Sequence, residues 1–289
     1  MLVIQIEHLK KNYGKHVGTR DVSFSVEAGE IFGFVGPNGA GKSTTIKVLT
    51  GFIFPTSGNA RICGLDVTRD TKKIKSFMGY VPADVRLYSN MKVGELLQRN
   101  AAFYRKGNTK ETSRLCDLFG VDIHKHFHEL SSGNKKKVSI LCALQPEPKV
   151  IILDEPTNGL DPMMQKLLFE ELKKQTARGA TVLLSSHNLA EVQEYCQRVA
   201  FIKNGSILTV ADLTKEAAPR KVVTTIGGGG APAGLGLESK EGKKRVFRTE
   251  LAGPHLLNAL SALAPEDFTV ENESIEDRFW SLYGKEELQ

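Results

Sequence analysis

The sequence predicts an α/β fold with a mostly parallel core sheet. It adds an N-terminal antiparallel β part, an inserted helical subdomain and a small C-terminal α+β appendage. Three observations carry that expectation. From Lys149 onward the chain alternates: strand 149–153, helix 163–177, strand 181–185, helix 188–196, strand 198–202. Such alternation builds a parallel sheet covered by helices. A buried strand at 31–35 runs into a glycine-rich loop and then a helix from Lys42 to Leu49. A second apolar strand, Val150-Ile151-Ile152-Leu153, ends in two carboxylates, Asp154 and Glu155.

The elements follow in order. Residues 2–9 and 21–27 read as strands around the turn-rich Asn12-Tyr13-Gly14-Lys15. The loop Gly36-Pro37-Asn38-Gly39-Ala40-Gly41-Lys42-Ser43-Thr44 fits G-x-x-x-x-G-K-[ST], the phosphate loop of nucleotide triphosphatases. Its glycines let successive N–H groups turn toward phosphate oxygens, and the helix N-terminus adds partial positive charge. Lys42 suits the β- and γ-phosphates, and the Ser43 hydroxyl suits Mg²⁺. Short strands are expected at 58–63 and 78–82. Between about 84 and 146 the pattern turns helical, with Leu96, Leu97 and Phe103 on one amphipathic segment running from Val93 to about Phe119. The composition shifts near Leu213, and Gly227-Gly228-Gly229-Gly230 marks a turn-rich connection. A charged hairpin, a helix around 254–263, a strand near 268–270 and a helix from Ser274 are expected beyond it. The division is therefore 1–213 and 214–289.

Bulk properties bound the function. The 289 residues carry a net charge of +6, mildly basic, which suits an anionic nucleotide or a membrane surface. No dense basic stripe calls for nucleic acid, and none is expected as a partner. Four widely spaced cysteines without a C-x-x-C pair read as free thiols of a reducing compartment. The N-terminus lacks a signal peptide's pattern, and no apolar run approaches the ~18 residues needed to span a bilayer. A soluble chain is expected, with any membrane role through a partner.

Further motifs complete the pattern. Asp154 is placed to hold Mg²⁺ and Glu155 to polarise water. Leu130-Ser131-Ser132-Gly133-Asn134 opens a helix, Lys135 to Leu144, as a second anion site or an ordinary N-cap. Strand Thr181–Ser186 delivers His187, a donor for a γ-phosphate or a structural histidine. Lys135-Lys136-Lys137 reads as a solvated helix face. His124, His126 and His128 lack the companions of a zinc site.

In this order the motifs resemble the ATP-binding subunit of ABC transporters over about residues 2–213. The resemblance implies the fold of that ATPase and a head-to-tail dimer of two copies, expected to be identical, binding ATP and Mg²⁺. A separate transmembrane permease subunit holds it at the cytoplasmic face of the membrane. It also implies site roles. Tyr13 stacks on adenine and Gly36 to Thr44 hold the phosphates. Ser131 and Gly133 reach the nucleotide of the opposite copy, Gly159-Leu160-Asp161 crosses the interface, and His187 is the switch histidine. Three departures stand out. Ala83 follows Pro82 where the family has Gln, with Asp84 as a displaced substitute. Ser132 and Asn134 replace the common Gly and Gln. The segment from Glu273 to Gly284, with Ile275, Phe279 and Leu282 as its apolar face, resembles the closing helix of bacterial drug, antimicrobial-peptide and sodium exporters. Alternatives are a soluble ATPase of the same type in translation or DNA repair, and an ATP-binding module without turnover. A GTPase is disfavoured because no N-K-x-D segment is present.

Overall fold

The computed structural model describes residues 1–104, 109–214, 220–229, 232–274 and 277. The chain forms two compact units, Met1–Leu213 and Thr214–Gln289.

In the first unit, β1 (Leu2–Tyr13) and β2 (His16–Glu27) form a long antiparallel pair. Strand β3 (Ile31–Val35) leads through the glycine-rich loop into α1 (Lys42–Leu49). Then come β4 (Ser57–Ile62), β5 (Leu65–Asp66), the short α2 (Thr71–Lys75) and β6 (Met78–Val81). The helical stretch holds α3 (Val93–Phe103), α4 (Thr109–Phe119), a single 3₁₀ turn (Phe127–Glu129) and α5 (Ser132–Leu144). The alternating part follows: β7 (Val150–Asp154), α6 (Pro162–Ala177), β8 (Thr181–Ser186), α7 (Leu189–Tyr195), β9 (Arg198–Lys203) and β10 (Ser206–Asp212).

Five strands form the parallel core in the order β6-β7-β8-β3-β9. Every residue of β3, β7 and β8 is buried, as strands covered on both faces require. Strand β10 joins β9 antiparallel, β2 meets β10 through the single parallel bridge Ser206↔Asp21, and β1, β4 and β5 continue the sheet antiparallel. Phe24 on β2 stacks on Phe32 of β3, ring centroids 5.2 Å apart, which joins the antiparallel part to the core.

Register explains why the motifs meet. Strand β8 lies between β3 and β7, with Ser186 opposite Val35 and Ser185 opposite Asp154. The glycine-rich loop, the acidic pair and His187 therefore all emerge at the carboxyl ends of adjacent parallel strands. Ligands collect at that edge of an α/β sheet because loops there converge on it.

Several expectations are corrected. Leu96 and Leu97 are buried, but Phe103 is 82% exposed, so the apolar face of α3 ends before it. The 93–119 segment is two helices. The helix expected from Lys135 starts at Ser132, because Ser131 caps it: its Oγ accepts from the Asn134 N–H at 3.3 Å. Strand β10 and helix α2 are absent from the expected elements.

The second unit is a four-stranded antiparallel sheet of β11 (Lys221–Ile226), β12 (Gly236–Glu241), β13 (Lys244–Thr249) and β14 (Asp267–Asn272), in the order β12-β13-β11-β14. Helix α8 (Gly253–Leu263) covers one face, packing Leu256, Leu260 and Leu263 on Val223 and Phe247. The expected closing helix, with Ile275, Phe279 and Leu282, lies outside the described residues. Among the described residues no helix is long and apolar enough to cross a membrane.

Candidate functional site

The loop between β3 and α1 wraps around its own lysine. The Lys42 ammonium donates to the carbonyl oxygens of Gly36 at 2.5 Å and Pro37 at 3.3 Å. Gly41 makes this possible. Its φ is +109°, and a Cβ there would lie 2.7 Å from the Gly18 carbonyl oxygen, so no side chain fits. Ser43 and Thr44 follow Lys42 in the first turn of α1. The Tyr13 ring lies close to this turn: Gly18 is wedged between them, its Cβ position 2.8 Å from Tyr13 Cε2 and 3.0 Å from a Thr44 methyl. Tyr13 is half-exposed, with Lys11 Nζ 5.2 Å from its ring centroid.

The acidic pair is held by a hydroxyl absent from the expected set. Ser185 Oγ donates to Asp154 Oδ1 at 2.7 Å and accepts from the Glu155 N–H at 3.0 Å. Asp154 is buried and Glu155 is 8% exposed. Glu155 has a φ of +47°, left-handed backbone that costs a non-glycine residue about 1 kcal/mol or more and collects at functional sites. From there its carboxylate reaches the Lys42 ammonium and the His187 ring. Oε1 lies 3.4 Å from Lys42 Nζ, and Oε2 lies 2.7 Å from His187 Nδ1. The His187 ring is 59% exposed, open to a ligand on its other side. Lys42, Glu155 and His187 are thus one connected chain of polar groups.

Ser131 and Gly133 stand at the start of α5. A Cβ on Gly133 would lie 2.6 Å from the Gly159 carbonyl oxygen, so the start of α5 and the turn after β7 touch backbone to backbone. Gly133→Ala is expected to force them apart at an overpacking cost of about 1–3 kcal/mol. ATP turnover should fall roughly tenfold with little change in ATP binding, read as kcat against KM.

Hard oxygen donors suit Mg²⁺, which takes one or two protein oxygens and completes its shell with phosphate and water. The Ser43 hydroxyl and the buried Asp154 carboxylate, fixed by Ser185, fit that demand. No cluster of three or more His, Cys, Asp or Glu side chains placed to hold a metal occurs among the described residues.

Two buried ionic groups escaped the sequence reading. Lys136 is 3% exposed, unlike the solvated lysine expected, and its ammonium donates to the carbonyls of Pro82 at 3.0 Å and Ala83 at 3.1 Å. Helical spacing could have revealed it, since Lys136 shares a face with the buried Ile140 and Ala143. Asp84, considered as a substitute for the missing Gln, instead pairs with Arg86 at 2.8 Å on the surface. Glu191 on α7 is buried and accepts from Thr157 Oγ1 at 3.1 Å and Ser186 Oγ at 3.4 Å, tying the acidic turn to the histidine turn.

Burial pushes the Glu191 carboxyl above the ordinary range, against the lowering effect of the hydroxyl donors. Its folded-state pKa therefore exceeds the unfolded one. Its contribution to stability is complete below the unfolded value and declines as pH rises through the folded value. Glu191→Gln keeps the shape without the ionisation. Its melting temperature relative to the parent should rise as pH climbs above the ordinary carboxyl value of about 4.3, measured by thermal melts across a pH series.

Comparisons agree with this geometry. The family model described as ABC transporter matches residues 19–158, and one described as AAA domain, putative AbiEii toxin, Type IV TA system matches residues 124–193. The probable multidrug ABC transporter ATP-binding protein YbhF of Escherichia coli K12 is 35% identical over 224 residues, 75% of this chain and 39% of YbhF. The chain thus spans well under half of that relative. The linearmycin resistance ATP-binding protein LnrL of Bacillus subtilis is 34% identical over 217 residues, 73% of this chain and 70% of LnrL. A solved ATP-binding subunit of an ABC transporter superimposes with a TM-score of 0.69 at 33% identity, covering 73% of this chain and 90% of that one. With a phosphate loop, an acidic strand end and a histidine meeting at one sheet edge, the chain belongs to the family of ATP-binding subunits of ABC transporters, which are ATPases.

Proposed function

We propose that this chain is the ATP-hydrolysing subunit of a bacterial ABC exporter, driving a separate transmembrane permease from the cytoplasmic face of the membrane. The observation that carries the reading is the polar chain Lys42–Glu155–His187 beside Asp154. The exporter direction is supported by relatives named for multidrug transport and linearmycin resistance.

The residues divide the work. Backbone N–H groups from Gly36 to Thr44 and the N-terminus of α1 receive the phosphates. Lys42 neutralises the β- and γ-oxygens, and Tyr13 stacks on the adenine. Ser43 and Asp154 would hold Mg²⁺, which would supply neutralising charge to the phosphates. Glu155 orients a water and accepts its proton. His187, fixed on Glu155 through Nδ1, presents its remaining nitrogen to the γ-phosphate. Ser131 and Gly133 face the nucleotide of a second, head-to-tail copy, with Gly159-Leu160-Asp161 between the copies. ATP then favours the closed pair through contacts that only the pair makes. Residues 1–213 carry this work, and residues 214–289 form an accessory domain, either a contact between the two copies or a regulator of closure.

The test is steady-state phosphate release by the purified chain with ATP and Mg²⁺, together with its mass by light scattering with and without ATP. Turnover accompanied by an ATP-dependent dimer supports the reading, and co-purification with a membrane protein identifies the permease. ATP binding without turnover, alone and with that permease, would instead support a binding module, the alternative that Ala83 raises.

A further inference from the structure

The loop after β6 and the start of α5 are joined by one side chain. Strand β6 runs beside β7 with Val81 opposite Leu153, so residues 82–84 leave the sheet next to the strand end that carries Asp154. Ala83 brings no polar side chain to this loop, and the Asp84 side chain is 71% exposed and turned to Arg86. The loop is held instead by its backbone. Lys136 Nζ bridges the Pro82 and Ala83 carbonyls, which are 54 and 53 residues away in sequence.

An ammonium with 3% exposure is costly to bury and stays only where partners compensate. Two carbonyl oxygens accept from it directly. Burial draws the Lys136 pKa below its ordinary value, and the carboxylates of Asp154, Glu155 and Asp84 oppose that shift in part. Five residues upstream on the same helical run, Ser131 caps α5, and Gly133 abuts the Gly159 carbonyl. Helix α5 therefore grips two loops of the sheet's carboxyl edge, one through Lys136 and one through Gly133.

We propose that Lys136 is a positioning residue of the ATPase site, clamping the 82–83 loop to α5 so that Ser131 and Gly133 move with the edge of the core sheet. The proposal rests on the ATPase reading above. The clamp replaces a side-chain contact from residue 83 by a contact from the helix to the backbone. It also fixes the sense of the coupling, since any displacement of residues 82–83 pulls on α5, and any rotation of α5 pulls on the loop.

The test uses the full chain with Lys136→Met, which keeps the length and removes the charge, Lys136→Arg, which keeps the donor, and Ala83→Gln in the Lys136→Met background. Lys136→Met is expected to lower kcat about tenfold with KM within about twofold, Lys136→Arg to recover most of that loss, and Ala83→Gln to recover part of it. Amide hydrogen exchange at Asn134 and Lys135, whose N–H groups are held by Ser131 at the start of α5, should be faster in Lys136→Met and near parental in Lys136→Arg. That arm reads the clamp even if the parent does not hydrolyse ATP, so failure of the clamp and failure of the ATPase reading are separable. Unchanged exchange in Lys136→Met overturns the clamp. Parental kcat in Lys136→Met, with a parent that turns over, overturns the positioning role. Equal impairment of Met and Arg variants with matching losses of melting temperature reduces Lys136 to packing and overturns it as well.

Discussion

Glu155→Gln is expected to lower ATP turnover by about two to four orders of magnitude while leaving ATP binding intact. The carboxylate is 8% exposed, held in left-handed backbone, and placed 3.4 Å from Lys42 and 2.7 Å from His187. Glutamine keeps the volume and the contact to His187 but cannot accept a proton from water. It also removes a negative charge next to the place where the γ-phosphate is received, so the ATP-bound form should become longer-lived. Phosphate release and light scattering in ATP test both halves: turnover should vanish and ATP-dependent dimers should accumulate. A variant that retains turnover within about tenfold of the parent would move the role of base to another group.

What the sequence made legible was local, and what it hid was long-range. The phosphate loop is contiguous in the chain, and its strand–loop–helix context can be read from neighbouring residues alone. The same holds for Asp154 and Glu155 at the end of an apolar strand. That these motifs, with Ser185 and His187, share one sheet edge follows from the strand order, which places β8 between β3 and β7. Strand alternation predicts a parallel sheet but not that order. Ser185 carried no signal because a serine in an apolar strand is unremarkable until Asp154 is seen opposite it. Lys136 was read with its neighbours as a charge run. Three consecutive residues on a helix point in three directions about 100° apart, and only the middle one falls on the face of Ile140 and Ala143. Phe103 misled in the opposite sense, since an aromatic at helical spacing ends 82% exposed. Strand β10 carries Ile207, Leu208 and Val210, yet its central residues are exposed, and it lies past the alternating strands and helices that set the expectation.

The largest stability effect is expected at Arg114, where the helical stretch is tied to the core. From α4 its guanidinium pairs with Glu111 at 2.7 Å and with Glu171 of α6 at 2.7 Å. Glu171 is fully buried and Glu111 is 8% exposed on its side chain. The two carboxylates, by hydrogen bonds first, hold the Arg114 pKa well above its ordinary value, and Arg114 in turn draws the Glu111 carboxyl below its own. Removing the arginine, whose own side chain is 36% exposed, leaves the buried Glu171 charge short of a partner. Gln175 still donates to Glu171 at 2.9 Å, and Arg178 still lies 3.6 Å from Glu111, so part of the field survives. Arg114→Met should therefore cost about 3 kcal/mol, at the lower end for such sites, and lower the melting temperature by about 6–12 °C. Adding Glu171→Met should restore much of the loss, because an apolar pair of similar volume carries no unpaired charge. A single variant melting within about 2 °C of the parent would show that the remaining Gln175 and Arg178 contacts suffice. The comparison also bears on function, since Arg114 and Lys136 tie α4 and α5 to different parts of the core. Loss of the first should act through stability, and loss of the second through kcat.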